Sequence, residues 1–244
     1  MSIGSDLPVP GRALAIGAHP DDIEFGAGAT LAKWAAAGCR IAHLVCTDGS
    51  KGSWDPHEDT ARLVALRQDE QRAASRALGG EGNVVFLGWP DGELESGLRQ
   101  RWEVAYWIRK LRPDVVLGHD PWRRYRLHPD HRHAGFLATD GIVAARDPHF
   151  FPEQGEPPHR PQVLLLWEAE EPDHVEAASE QTVAAKIEAL LAHRSQFRST
   201  MRIEDPDAAG EVDAFRTRIM NRLAEHGARA GIAVGEGFKI MRDL

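Results

Sequence analysis

Cysteine, long apolar runs and an excess of basic residues are what this chain is short of. Its 244 residues include 2 cysteines. Cys39 and Cys46 bracket one expected strand, and an extended stretch of that length holds its ends about 23 Å apart, too far for a disulfide. They read as free, core-filling thiols suited to a reducing compartment. No apolar stretch approaches the roughly 20 residues that a bilayer span demands. The opening MSIGSDLPVPGR lacks the basic-then-apolar pattern of a secretory leader, so a cytoplasmic protein is expected. Lys and Arg number 29 against 37 Asp and Glu, a formal net charge of −8. That balance argues against nucleic acid or an anionic membrane as a partner held through charge alone.

What the chain does hold is 42% hydrophobic residues, enough for a sizeable core, in a regular alternation. RALAIGA (12–18), RIAHLVCT (40–47), NVVFLG (83–88), DVVLG (114–118) and QVLLLWEA (162–169) are short apolar runs that read as buried strands. Residues 26–37, 59–78, 98–111 and 131–145 show helical spacing, with stops at Gly38 and Gly79-Gly80. Further helices are expected near 179–196 and 208–227, and GIAVGEGFKIM closes as a strand or extended arm. The pattern predicts an α/β fold: a Rossmann-like, mostly parallel sheet flanked by helices, in a single domain over 1–244. GAGAT (26–30) is not a dinucleotide fingerprint, because GxGxxG would need glycine where Leu31 stands. Its glycines are expected to let a helix pack close to the sheet.

Two polar clusters stand behind apolar strands. His19-Pro20-Asp21-Asp22 follows the first, and His128-Pro129-Asp130-His131, with His133, lies past the fourth. Parallel strands put their carboxyl ends on one side, where α/β sheets bind ligands, so the clusters can converge. Acids and imidazoles this dense compete for protons unless a cation organises them. His19 and Asp22 can face one point, and a third ligand from the second cluster would complete the pattern of catalytic zinc, which leaves a position for water. Nitrogen with carboxylate oxygen suits Zn2+, with Fe2+ or Co2+ as alternatives. The competing reading makes Asp21 or Asp22, and His128 with Asp130, caps of the helices that follow. It leaves a binding or assembly protein without chemistry.

AHPDD, HPDH, HRSQF (193–197) and the GEGFKIM ending resemble the PIG-L/LmbE-like zinc-dependent N-deacetylases. DPWRRYRLHPDHRHAGFLA (120–138) looks closest to the diacetylchitobiose deacetylase branch. The resemblance implies one Zn2+ per chain held by His19, Asp22 and His131. Asp21 becomes the general base, His128 the group that stabilises the oxyanion or passes a proton, and Asp130 the residue that orients a neighbouring histidine. Arg67, in LRQDEQ, matches a substrate contact; the alternative is an ion pair with Asp69 or Glu70. The implied reaction removes the acetyl group of an N-acetylglucosamine-containing small molecule, and the implied assembly is a homo-oligomer, trimer or hexamer. An amidase acting on a mycothiol-type thiol conjugate is the other use of the same site.

The chemistry suits these residue types. Water is a weak nucleophile and an amine a poor leaving group; zinc brings the pKa of its water towards about 7, and a neighbouring carboxylate can take the proton. On the same edge, Asp48 could hold a sugar hydroxyl or a histidine, or form a turn. Trp122, with Trp89, Asp91, Arg123 and Tyr125, offers contacts to a sugar ring or a subunit. His193 is expected to pack its helix. His133 should face solvent or a subunit, since i and i+2 do not share a helical face.

Overall fold

The structure is a computed structural model that describes residues 3–244 apart from 206 and 208. Ala208, at the expected start of the last helix, therefore lies outside the described residues. In chain order the elements are β1 (Gly4–Ser5), β2 (Arg12–Gly17), α1 (Asp22–Ala36), β3 (Arg40–Thr47), α2 (Thr60–Ala77), β4 (Val84–Trp89), α3 (Leu98–Leu111) and β5 (Val115–His119). Then come α4 (Pro129–Arg146), β6 (Val163–Trp167), β7 (His174–Ala177), α5 (Glu180–Leu191), α6 (Ala209–Arg229) and β8 (Gly235–Arg242).

The strands form one 8-stranded sheet in the order β1-β7-β8-β6-β5-β2-β3-β4. β8 runs antiparallel to β6 and β7, and the other pairings are parallel. The central strands are apolar almost throughout because helices cover both faces. Along β2, Ala13 and Ala15 face a core layer with Leu31 and Trp34 of α1, while Leu14 and Ile16 face Val104, Ile108 and Ile142 of α3 and α4. That is the period of two expected of a strand. A third cluster joins α5 to α6 through Leu190, Phe215 and Leu223. β2 lies between β3 and β5, and the chain winds outward from it in both directions. This is the switch point at which open α/β sheets form a crevice.

The expected fold class is the observed one, with local differences. β1 and β7 are additional strands. The helix expected over 179–196 stops at Leu191, and a 3₁₀ turn at Arg194–Gln196 and a π-type turn at Phe197–Met201 follow. α1 starts at Asp22 rather than 26 and is interrupted at Ala27, whose φ of −144° is not helical. The break has a built-in remedy. The Glu236 carboxylate accepts the N–H groups of Ala29 and Thr30, and Lys186 donates to the Phe25 carbonyl, so both freed ends of the helix are satisfied. The glycines of GAGAT do allow close packing. A Cβ on Gly26 would enter the Trp167 indole, and one on Gly28 would lie 2.9 Å from Lys186. Cys39 and Cys46 are both buried and free. Among the described residues, no helix is long and apolar enough to cross a membrane.

Candidate active site

The turn after β2 carries His19, Asp21 and Asp22, and the segment after β5 leads into α4. Pro129 opens α4, where its missing N–H costs nothing, and puts Asp130 and His131 in the first turn. The two clusters meet. His19, Asp21, Asp22, Arg67, His128 and His131 all line one cavity of about 360 Å³.

Asp22 sits among imidazoles. Its Oδ2 accepts from the His19 backbone N–H at 2.7 Å and lies 3.4 Å from His19 Nδ1 and 3.2 Å from His119 Nε2. Its Oδ1 is 3.3 Å from His131 Nε2. The far side of the His19 ring faces Asp130 at 3.1 Å and Asp91 at 3.2 Å. Asp130 also accepts the N–H groups of Gly92 and Leu94. His128 is exposed at the cavity mouth, its ring centroid 4.6 Å from that of His19 and 4.8 Å from that of His131. Neither helix start is capped by these side chains. Asp21 and His128 occupy the N-cap positions of α1 and α4 without a side-chain cap bond.

The charges are arranged to receive a cation. Burial pushes the Asp21 carboxyl up to about 6; Arg67 works against that shift and the charge of Asp22 adds to it. Burial opposes ionisation of Asp22 too, but His131 and His119 hold its carboxyl well below the usual range. Burial disfavours a proton on His19, yet Asp130, Asp22 and Asp91 raise its pKa well above the ordinary value. His128 moves the other way, lowered by burial and by His19 and His131. Carboxylates are thus in excess, and a proton on His19 balances them where no cation does.

The donor set fits a metal. Atoms bound at 2.0–2.2 Å around a tetrahedral ion lie about 3.3–3.6 Å apart; His19 Nδ1 is 3.4 Å from one oxygen of the Asp22 carboxylate and His131 Nε2 is 3.3 Å from the other. His19, Asp22 and His131 are one of the groupings whose donor atoms all lie within 4.8 Å. Two rival groupings have their atoms spoken for. Asp130 is taken by Gly92, Leu94 and His19. His119 Nδ1 accepts from the Trp167 indole at 3.0 Å, and Glu168 pairs with Arg126 at 2.9 Å.

The remaining expected residues divide. Arg67, 3% exposed, lines the cavity, but its guanidinium donates to the carbonyls of Pro20 (2.6 Å) and Gly49 (2.9 Å). The partners weighed for an ion pair are engaged elsewhere, Asp69 with Arg72 and Glu70 with the Ser195 N–H and hydroxyl, and Arg67 instead has its guanidinium 3.9 Å from the Asp21 carboxylate. Asp48 does not line the cavity. Its carboxylate accepts from Ser50 and Asp91, joining two loops as a turn residue would. Trp122, 57% exposed, also stands off the cavity wall, edge-on to Phe136. His193 lies under the site, 3.4 Å from Glu24, and His133 accepts from the Ser96 N–H at 3.1 Å. His119, Glu168, Gln71 and Glu24 were not anticipated. The first two stand at or just past the ends of β5 and β6, and their only signal is that strand-end position.

Residues 14–142 match the model of the PIG-L family, described as GlcNAc-PI de-N-acetylase. Diacetylchitobiose deacetylase of Thermococcus kodakarensis is 35% identical over 189 residues, 76% of this chain and 70% of the relative. A 1D-myo-inositol 2-acetamido-2-deoxy-alpha-D-glucopyranoside deacetylase of Streptomyces scabiei is 34% identical over 173 residues, 60% of this chain and 52% of that one, so the match spans about half of its length. Among solved structures, N,N'-diacetylchitobiose deacetylase of Pyrococcus horikoshii superimposes with a TM-score of 0.85 at 28% identity, covering 96% of this chain and 84% of the other. From the family match and the Thermococcus relative together, the chain belongs to the PIG-L family of metal-dependent N-deacetylases.

Proposed function

We propose that the protein is a zinc-dependent hydrolase that removes the N-acetyl group from an N-acetylglucosamine-containing small molecule and releases acetate. The observation that carries this reading is a buried carboxylate, Asp21, beside a complete His19–Asp22–His131 donor set in one cavity. His19, Asp22 and His131 would hold the ion, and Asp130 fixes the His19 ring from behind, as carboxylates do for metal-bound imidazoles. When bound, zinc supplies Lewis acidity and brings the pKa of a coordinated water to about 7.

The chain's own residues do the rest. Asp21 is positioned to take the proton of the attacking water, and its raised pKa of about 6 suits a base working near neutrality. His128, held neutral by its lowered pKa, offers a ring N–H to the oxygen that gains charge as the acetyl carbonyl is attacked. The amine leaves with the proton that Asp21 took from the water, while the neutral His128 keeps its N–H on the carbonyl oxygen. Arg67 faces the same cavity and is assigned to the substrate, whereas Asp48 and Trp122 do not line it and are assigned no substrate contact.

The substrate class follows from shape and from relatives. A second cavity of about 480 Å³ adjoins the first and shares Gly52, Trp54 and Ser199 with it. It gives room for a unit beyond the acetamido sugar, which favours an oligosaccharide or glycoside. The Thermococcus and Streptomyces relatives are named for two-ring acetamido sugars. Assembly as a trimer or hexamer in the cytoplasm completes the proposal, and light scattering of the purified protein tests the former.

The deciding experiment measures acetate release, with metal content alongside. The panel holds N-acetylglucosamine, diacetylchitobiose, an acetamido-glucosyl inositol and a mycothiol-type thiol conjugate. The expected result is release from the sugars that stops on chelation and returns with Zn2+. Strong preference for the thiol conjugate would move the protein to the amidase reading. No release from any of them, with a full equivalent of metal bound, would end both.

A further inference from the structure

The residue that the proposed function makes the general base has an unusual backbone. Asp21 has φ 106° and ψ −25°, a left-handed conformation that side chains other than glycine's avoid. φ is the rotation about the bond from its nitrogen to its Cα. It decides whether the carboxylate enters the cavity, and it is fixed only if the Pro20–Asp21 peptide plane is held.

That plane is gripped at both ends from one helix. Arg67 donates to the Pro20 carbonyl at 2.6 Å, and Gln71 Oε1 accepts from the Asp21 N–H at 3.0 Å. The two side chains are one turn apart on α2 and so share a face. Gln71, fully buried, can serve only if its amide oxygen, not its NH2, faces Asp21. Behind it, Gln71 Nε2 donates to Glu24 Oε1 at 2.7 Å and lies 3.3 Å from His43 Nδ1. Flipping the amide would set oxygen against the Glu24 carboxylate and NH2 against N–H. Glu24 is in turn 3.4 Å from His193 Nε2, both side chains being 0% exposed. Of these side chains Arg67 lines the substrate cavity, and Gln71, Glu24, His43 and His193 do not.

We infer that Gln71, oriented by Glu24 with His193 behind it, is a positioning residue that clamps the strained Pro20–Asp21 peptide and so aims the Asp21 carboxylate. The catalytic side of this inference rests on the proposed function; the clamp itself does not. Arg67 on one side and Gln71 on the other make α2 the element that sets the angle of the base, and the His193 of HRSQF acts three contacts away from the chemistry.

The test compares wild type with Gln71→Leu and Gln71→Asn. The latter keeps the amide but withdraws its oxygen by one methylene. Hydrogen exchange of the Asp21 N–H is followed at residue resolution on the zinc-loaded protein without substrate. We expect exchange at Asp21 to quicken at least about tenfold in both variants, with Leu14 and Ile16 in β2 unchanged. We expect kcat to fall about 10–100-fold, the range for residues that support a ligand shell, at unchanged KM and one bound metal. Glu24→Gln, which keeps Gln71 and an acceptor for it, should retain most of the wild-type protection. Wild-type exchange at Asp21 in Gln71→Asn, or kcat within twofold of wild type where activity is measurable, would overturn the inference. Because exchange needs no substrate, it decides the clamp even if the wild type releases no acetate.

Discussion

Asp21 carries two costs at once: a left-handed backbone, worth about 1–3 kcal/mol for a side chain that resists it, and a carboxyl whose burial raises its pKa to about 6. A residue kept at such expense is a residue used. Asp21→Gly should therefore raise the melting temperature of the metal-free protein while abolishing hydrolysis, because glycine takes positive φ without strain. An unchanged or lower melting temperature would show that the backbone is not strained there. Asp21→Ala should cut kcat by about 10²–10⁴, the usual contribution of a general base, with zinc stoichiometry intact by elemental analysis. Asp130→Ala leaves His19 Nε2 with Asp91 alone and strands the Gly92 and Leu94 N–H groups. Zinc affinity should fall about 10–100-fold in a competitive titration. The residues that could be read from sequence were those in contiguous clusters, HPDD and HPDH, where dense charge after an apolar strand has few bland explanations. His119 and Glu168 escaped because each is one polar residue at the end of an apolar strand, and nothing local separates that from an ordinary strand boundary.

At the level of elements, α1 joins the site to the sheet. Its first turn holds Asp22, its break at Ala27 is closed by Glu236 and Lys186, and its Gly26 lies on Trp167, whose indole fixes His119. Gly26→Ala should cost about 1–3 kcal/mol, the penalty of overpacking, and should also weaken zinc binding by disturbing the His119–Asp22 contact. Thermal unfolding and zinc titration on one sample check both; loss of stability without loss of zinc affinity would sever the proposed link. The sequence showed this helix late, starting at 26, because small residues hide a break and an Asp-Asp pair reads as a cap. Long amphipathic α2 and α3 lay within a residue or two of expectation, since repeated apolar spacing survives any local accident. β1 and β7, of 2 and 4 residues, are too short to show a period and are ordered by pairing, β7 on the edge of β8 and β1 on the edge of β7.

For the whole molecule, the excess of carboxylates around His19 ties metal, proton and stability together. His19 has a raised pKa and so carries a proton near neutrality in the metal-free protein. Binding zinc must expel it, and affinity must weaken as pH falls and the proton competes better. Calorimetry in buffers of different protonation enthalpy should find at least about one proton released per ion near pH 7; none released would contradict this charge arrangement. At free zinc about 1,000 times its Kd, the folded state gains about 4 kcal/mol. For a chain of this size that is roughly 8–16 °C in Tm, lost on chelation.

The sheet is stitched out of sequence order. β8 lies between β6 and β7, and β1 reaches the rest only through β7. A ribosome delivers residues 235–242 after every other strand, so until then β6 shows a bare hydrogen-bonding edge and the amino-terminal strand has no berth. Assembly of that half of the sheet therefore waits for β8, and a nascent chain stalled before Gly235 is the form most exposed to chaperones and to aggregation.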